Sequence, residues 1–525
     1  MTNWFLSVAE RGNPASDITN WTAGNEVTPL VDGAAYFPAL YRALCGTRRG
    51  DQVYLADFRG DTEEQLAGPG TSVGEVLSEL VARGVLVFGL IWRSQPSWLD
   101  QSEGKNAELA REVSEAGGEV LLDSRTRRGG SHHQKFAVIR HPGRPDRDVA
   151  FMGGIDLSRS RNDGGRHDGD RQAMDFPSVY GRRPPWHDVQ AAIRGPAVAD
   201  IEHTFRERWY GSSSLDLSSP VRMAVDRAYH AGKLVGRDLP APVPAPEPVG
   251  THAVQVLRTY PARLRRYPFA PLGERSISQA YRKVLDRARR LIYIEDQYLW
   301  APFVADLIAD ALRSQPDLHV VAVVPRFPDK DGTARWPSLV GREQAIKVCR
   351  AAGADRFAIY DLENAAGTPV YVHAKVVVVD DVWAMIGSDN LNRRSWTHDS
   401  ELSCAVLDER TDGREPRDPA RQGDNARAFA RDLRLRLLCE HLDRDDADTA
   451  DLLDPVEAFE ALRRSADDLQ GWYDGGQSGP RPPGRLRPHV PERPPRRHRA
   501  WAVPVYRLVY DPDGRALRDR VRRRL

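Results

Sequence analysis

Apolar residues along this chain gather in short unbroken runs more often than they alternate with polar ones. Gln52-Val53-Tyr54-Leu55-Ala56-Asp57, Gly84 to Trp92, Leu291 to Gln297 and Leu318 to Pro325 are each of strand length. Strands of that kind have both faces covered, as in a sheet with helices on either side. Between these runs, Val73 to Arg83 and Phe303 to Arg313 place apolar residues near helical spacing. Helix and strand signals therefore alternate, which predicts an α/β layer structure.

The order of signals occurs twice. Strand, helix and strand lead in the first half to His133-Gln134-Lys135 and in the second to His373-Ala374-Lys375. Tyr54 lies 79 positions before His133, and Tyr293 lies 80 before His373. After each motif comes another matched strand, His187 to Ile193 and Ser400 to Val406, which sets Asp188 opposite Glu401. The organisation predicted is a first lobe over 1–238, a Pro-rich spacer over 239–250 and a second lobe over 251–410. Leu239 to Pro248, with proline at alternate positions, is a stiff, extended connector. A helical extension over 411–474 follows, with helices near Asn425–Leu442 and Pro455–Leu469. Over 475–525 a Pro/Arg-rich linker and basic tail are expected. Gly475 to Pro495 reads as linker or disorder, and Trp501 to Tyr510 as a short strand docking back.

At 525 residues the chain has room for roughly two to four domains. A formal charge of +1 gives the whole molecule little pull on nucleic acid. Only the end is strongly basic, closing on Arg522-Arg523-Arg524. The four cysteines, Cys45, Cys349, Cys404 and Cys439, form no Cys-x-x-Cys pair, so free thiols are expected and no metal or cofactor is called for. Met1 to Leu6 lacks a charged leader, and no apolar run approaches the ~18 residues of a membrane span. A cytoplasmic protein that touches membranes only peripherally is expected.

The candidate chemistry lies in the two His-x-Lys sites. A phosphodiester is anionic and repels nucleophiles, so cations or oriented donors must neutralise the developing charge. Lys135 and Lys375 fit that role, with Ser388 and Asn390 as neutral donors. A neutral imidazole can attack phosphorus, and a protonated one can deliver a proton to the departing oxygen. Histidine suits both tasks because its ordinary pKa lies near working pH. A carboxylate behind each ring would fix its tautomer, and Asp188 and Glu401 stand where the repeat would supply one.

The second copy reads His-x-Lys-(x)4-Asp-(x)6-Gly-Ser-x-Asn through His373, Lys375, Asp380, Gly387, Ser388 and Asn390. It resembles the phospholipase D superfamily. Ser131 to Lys135, Met152 to Leu157 and Pro185-Trp186-His187-Asp188 are similar in wording to the plant and animal branch, as is Ile292 to Tyr298 with Asp296 where Asn is usual. The resemblance covers about residues 50–410 and implies two similar α-β-α sandwich lobes with mixed sheets about a pseudo-twofold axis, sharing one site. It implies His133 as nucleophile, His373 as acid, Glu401 as a histidine-orienting carboxylate and Asp380 as structural support. Gly154, Asp156 and Gln297 join Ser388 on the expected substrate-binding side. The implied activity is cleavage of a glycerophospholipid headgroup through a covalent phosphohistidine, without a metal, with water or an alcohol as acceptor. A monomer without calcium-binding lipid or phosphoinositide-binding modules is expected.

The first copy departs from the pattern. Arg140 stands where the family has Asp, which points to altered local pairing with Asp146 or Asp148. Gly154 and Asp156 replace the Ser and Asn of the second copy. The competing readings are cardiolipin synthesis, a nuclease and a non-catalytic lipid-binding protein with a weakened first half.

Overall fold

The computed structural model describes residues 3–93, 102–210, 236–263, 265–516 and 519–520. The first half contributes β1 (Thr22–Val31), β2 (Gln52–Asp57), β3 (Leu86–Trp92), β4 (Glu119–Asp123), β5 (Phe136–Arg140), β6 (Val149–Gly153) and β7 (Val189–Arg194). Their order across the sheet is β4-β3-β2-β5-β6-β7-β1. The second half contributes β8 (His252–Tyr260), β9 (Leu291–Asp296), β10 (His319–Val323), β11 (Phe357–Glu363), β12 (Lys375–Val379), β13 (Trp383–Gly387) and β14 (Glu401–Asp408). Their order is β11-β10-β9-β12-β13-β14-β8. Each strand of the first sheet thus has its equivalent seven labels on. In both, one end is parallel (β2-β3-β4, β9-β10-β11) and the remainder antiparallel. The equivalent strands β1 and β8 pair with each other at Thr22↔Val254 and Asn25↔His252, so the pseudo-twofold axis passes between them.

Layering follows from alternation along each strand. On β2, Val53 and Leu55 face an outer core with helix α1 (Val73–Ala82), while Tyr54 and Ala56 face a core shared by both sheets. On β9, Ile292 and Ile294 pack outward against α2 (Pro302–Ser314), and Tyr293 faces the shared core. The buried positions of α1, Val73, Val76, Leu77 and Leu80, have the three-and-four spacing of one helix face. Ser72 caps α1 by accepting the Glu75 N–H. Each fully buried aliphatic side chain of this kind contributes about 1.5–3 kcal/mol.

Helix α3 (Trp336–Gly353) covers the second sheet beside α2. The extension beyond β14 supplies α4 (Ala428–Leu442) and α5 (Pro455–Asp474), and Leu433, Leu437 and Leu438 of α4 join the shared core. Arg431 and Arg434 reach back from α4 to Asp381 in the β12–β13 turn, at 3.0 and 2.6 Å.

One sequence expectation is narrowed and two change. Arg140 pairs with Asp148 at 2.9 Å and not with Asp146; it also meets Glu202 and donates to the carbonyls of Val243 and Pro244 at 3.2 and 2.5 Å. A guanidinium has enough donors to bind two carboxylates and two carbonyls at once, so this residue fastens the Pro-rich connector to the first sheet. Within Gly475–Pro495, Leu486–Pro488 pairs with the edge strand β11 instead of remaining linker. Trp501–Tyr510 is helical: α6 (Arg496–Val505) runs on into a wider turn over Tyr506–Tyr510. Ala502 and Tyr506, four apart, bury one helix face against Trp300, Trp336 and Val340. Arg522–Arg524 lie outside the described residues.

Candidate active site at the junction of the sheets

Each His-x-Lys segment leaves its own sheet and runs beside the other lobe. His133 N–H donates to Ser400 C=O at 2.9 Å, and Ser400 N–H donates to Ser131 C=O at 3.0 Å. In the twin arrangement Tyr371 and Val372 run parallel to Trp186 and His187, and His373 N–H donates to His187 C=O at 2.7 Å. Ser400 and His187 each precede a carboxylate by one residue. The dyads are consequently crossed: His133 Nδ1 lies 2.9 Å from Glu401 Oε2, and His373 Nδ1 lies 2.6 Å from Asp188 Oδ2. A carboxylate on Nδ1 fixes the tautomer and leaves Nε2 as the nitrogen available for chemistry. Both imidazoles line one cleft of about 660 Å³.

Lys375 opens β12, and Lys135 immediately precedes β5. Lys135 Nζ donates to His133 C=O at 3.0 Å and lies 3.4 Å from Asp156 Oδ1. Lys375 Nζ donates to His373 C=O, and burial brings its pKa down to about 8. Burial, then Lys375, Arg161 and Lys135, hold the His373 pKa well below its ordinary value. Burial pushes Asp188 up to about 7, with Lys375 opposing.

The expected polar ligands take different posts. Ser388 Oγ donates to Glu401 Oε2 at 2.6 Å and accepts Leu402 N–H at 3.0 Å, so its hydroxyl positions the carboxylate instead of facing substrate. Gly154 occupies the equivalent place beside Asp188, where a Cβ would come within 2.0 Å of Oδ1. Asp156 is turned to Lys135. Asn390 lines a second groove, and its buried Oδ1 has no hydrogen-bond partner among the described residues. Gln297 lines the cleft and donates to Tyr371 Oη at 2.7 Å. Asp380 accepts the N–H groups of Arg289, Arg290 and Leu291 at 2.8, 2.8 and 2.9 Å, holding the start of β9 away from the cleft. Asp296 likewise accepts three backbone N–H groups, from Tyr298, Leu299 and Leu391.

Two features escaped the sequence reading. Arg161 lies 3.8 Å over the Trp186 ring, which is itself 5.1 Å from the His373 ring. It sits in the segment between β6 and β7, much longer than its twin between β13 and β14, so the repeat offered no signal. Behind Asp188, the residues Asp32, His167, His187 and Glu440 offer donor atoms all within 4.8 Å of one another. His187 Nδ1 is 3.0 Å from Asp32 and 3.1 Å from Glu440, and His167 Nε2 is 3.3 Å from Glu440. The other ring nitrogens rest on Glu295 (2.9 Å) and Trp186 C=O (3.1 Å), as ligating imidazoles require. Two imidazoles and two carboxylates could hold a divalent cation. None of the four lines the cleft.

Crossed histidine–carboxylate dyads with paired lysines are thus presented by two equivalent mixed sheets, a two-lobed α/β architecture built by duplication. The comparisons give the family: residues 64–302 match the family model described as phospholipase D, and 281–413 match that described as cardiolipin synthase, PLD-like domain. The chain belongs to the phospholipase D superfamily. Phospholipase D alpha 1 of Vigna unguiculata is 24% identical over 65% of this chain and 56% of its own length. Phospholipase D alpha 1 of Oryza sativa subsp. japonica is 23% identical over 87% and 70%, and phospholipase D1 of Saccharomyces cerevisiae 26% over 83% and 30%. The chain spans little more than half of the Vigna relative and under a third of the yeast one. The crystal structure of phosphatidylserine synthase from Haemophilus influenzae Rd KW20 shares the fold, with a TM-score of 0.50 and 14% identity over 74% of this chain and 84% of that one.

Proposed function

We propose that this protein is a phospholipase D-like phosphodiesterase that moves a phosphatidyl group from a glycerophospholipid headgroup to water or an alcohol. The crossed dyads carry the reading: two imidazoles, each backed by a carboxylate of the opposite lobe, line a single cleft. In the first step His133 Nε2 forms a bond to phosphorus while the headgroup oxygen leaves, taking a proton from His373. In the second, water or an alcohol gives its proton to His373, its oxygen bonds to phosphorus, and the P–N bond breaks. Lys135 and Lys375 balance the charge on the phosphoryl oxygens. Both half-sites belong to one chain, so a monomer suffices. No helix among the described residues is long and apolar enough to cross a membrane, and we assign the protein to the cytoplasm with peripheral access to lipid.

One observation favours exchanged roles for the histidines. The environment of His373 holds its ring neutral, which suits the attacking group. Peptide mapping of a trapped adduct separates the two assignments.

The activity is tested by headgroup release from phosphatidylcholine and phosphatidylglycerol, beside single-stranded DNA, with and without ethanol. Released headgroup plus phosphatidylethanol supports the proposal. Cardiolipin from phosphatidylglycerol alone would favour a synthase, cleaved DNA a nuclease, and binding without turnover a lipid-binding protein.

A further inference from the structure

The cleft is continuous with a second groove of about 620 Å³, the two sharing Phe58, His133, Tyr298 and Lys330 in their walls. Phe58, 5.1 Å from the His133 ring and stacked on Trp92 at 4.6 Å, lines this groove together with Tyr298, Trp300, Leu508 and Val509. The segment carrying Leu508 and Val509 is firmly anchored. Tyr506 Oη accepts Ala301 N–H at 3.0 Å and donates to Asp511 Oδ2 at 2.9 Å, while Tyr510 Oη donates to Ala334 C=O at 2.7 Å. Trp300, stacked on Tyr298 at 3.9 Å, meets Tyr506 edge-on and Tyr510 at a tilt. Tyr506 is buried and Tyr510 half-buried, but the tip is not: Leu508 is 75% and Val509 51% exposed. Adjacent aliphatic side chains held out to solvent beside a cleft mark an interaction surface. Arg128 and Lys330 are exposed in the wall of the groove, where Asp329 also stands, and Arg507 is exposed next to Leu508; none of the three cations has an ion-pair partner among the described residues.

We infer that this tip is the surface on which the protein seats itself against an anionic phospholipid bilayer. Leu508 and Val509 enter the interfacial layer, and the three cations meet the negative headgroups. The aromatic groove behind them then receives the diacylglycerol half of a lipid whose phosphate reaches His133. The inference rests on the phospholipid reading of the site, and its occupant is chosen by the charge of the rim and by the continuity of the groove with the cleft.

The test is sedimentation of the full chain with sucrose-loaded phosphatidylcholine vesicles, with and without phosphatidylglycerol, beside turnover of the water-soluble diester bis(p-nitrophenyl) phosphate. The wild type is expected to bind the anionic vesicles more tightly than the neutral ones. L508D/V509D, and the milder L508S/V509S should the first fail to fold, are expected to weaken binding about tenfold, with soluble turnover within about twofold of wild type. R507E/K330E is expected to remove the preference for anionic vesicles. Unchanged vesicle binding in these variants would overturn the inference. So would a wild-type dimer that the aspartates convert to monomer, which would give the face to a second copy. A wild type that binds vesicles through this tip but turns over no diester would sink the catalytic reading alone.

Discussion

At the scale of single residues, the two His-Lys pairs were legible because each is local in sequence and each occurs twice. The partner of each ring was not legible, because it is fixed by a register between lobes. Asp188 and Glu401 were placed opposite one another by the repeat, yet only the hydrogen bonds His133 N–H to Ser400 and His373 N–H to His187 show that they cross. Asp188→Asn and Glu401→Gln should each lower kcat by about 10²–10⁴-fold, as when an imidazole loses its orienting carboxylate, with the thermal midpoint little changed. Steady-state kinetics beside a melting curve checks this. Gly154→Ala should act on the same dyad, since its methyl group would displace Asp188 Oδ1, lowering kcat more than stability. The pH profile follows from the same atoms. As pH falls through about 7, Asp188 gains a proton and no longer orients the His373 ring as a carboxylate; as it rises through about 8, Lys375 loses its charge. A bell in kcat/KM between those limits is expected, and Asp188→Asn should remove its acid limb.

At the scale of elements, the unbroken apolar runs and the helical spacing of Val73–Arg83 and Phe303–Arg313 were enough to place strands and helices, because both faces of these sheets are covered. The C-terminal portion was read less well. Trp501 to Tyr510 carries β-favouring residues, but burial of Ala502 and Tyr506 on one helix face decides the conformation there. Leu486–Pro488 lies in a segment rich in Pro and Gly, where composition hides a three-residue pairing with β11. Arg140 shows how a departure from the family pattern becomes a structural device, replacing a carboxylate by a cation that binds the connector. Arg140→Met should take one cation from Asp148 and Glu202, which keep His141 and Arg206 as partners, and cost about 1–3 kcal/mol in urea unfolding. A loss below about 1 kcal/mol would show that the connector is held by other contacts.

At the scale of the whole molecule, duplication explains why one chain contains a complete site. Strands β1 and β8 bring the axis between the sheets, and each lobe lends the other a carboxylate. Neither lobe alone has a complete dyad, so function depends on the docking of both. The most direct measurement is to quench the enzyme in alkali during turnover of a phosphatidyl substrate and map the adduct by peptide mass spectrometry. The account predicts one phosphatidyl group per chain, on a ring nitrogen of His133 or His373, and none in the His133→Ala/His373→Ala double variant. Full turnover with no histidine adduct, or an adduct on any other side chain, would contradict it.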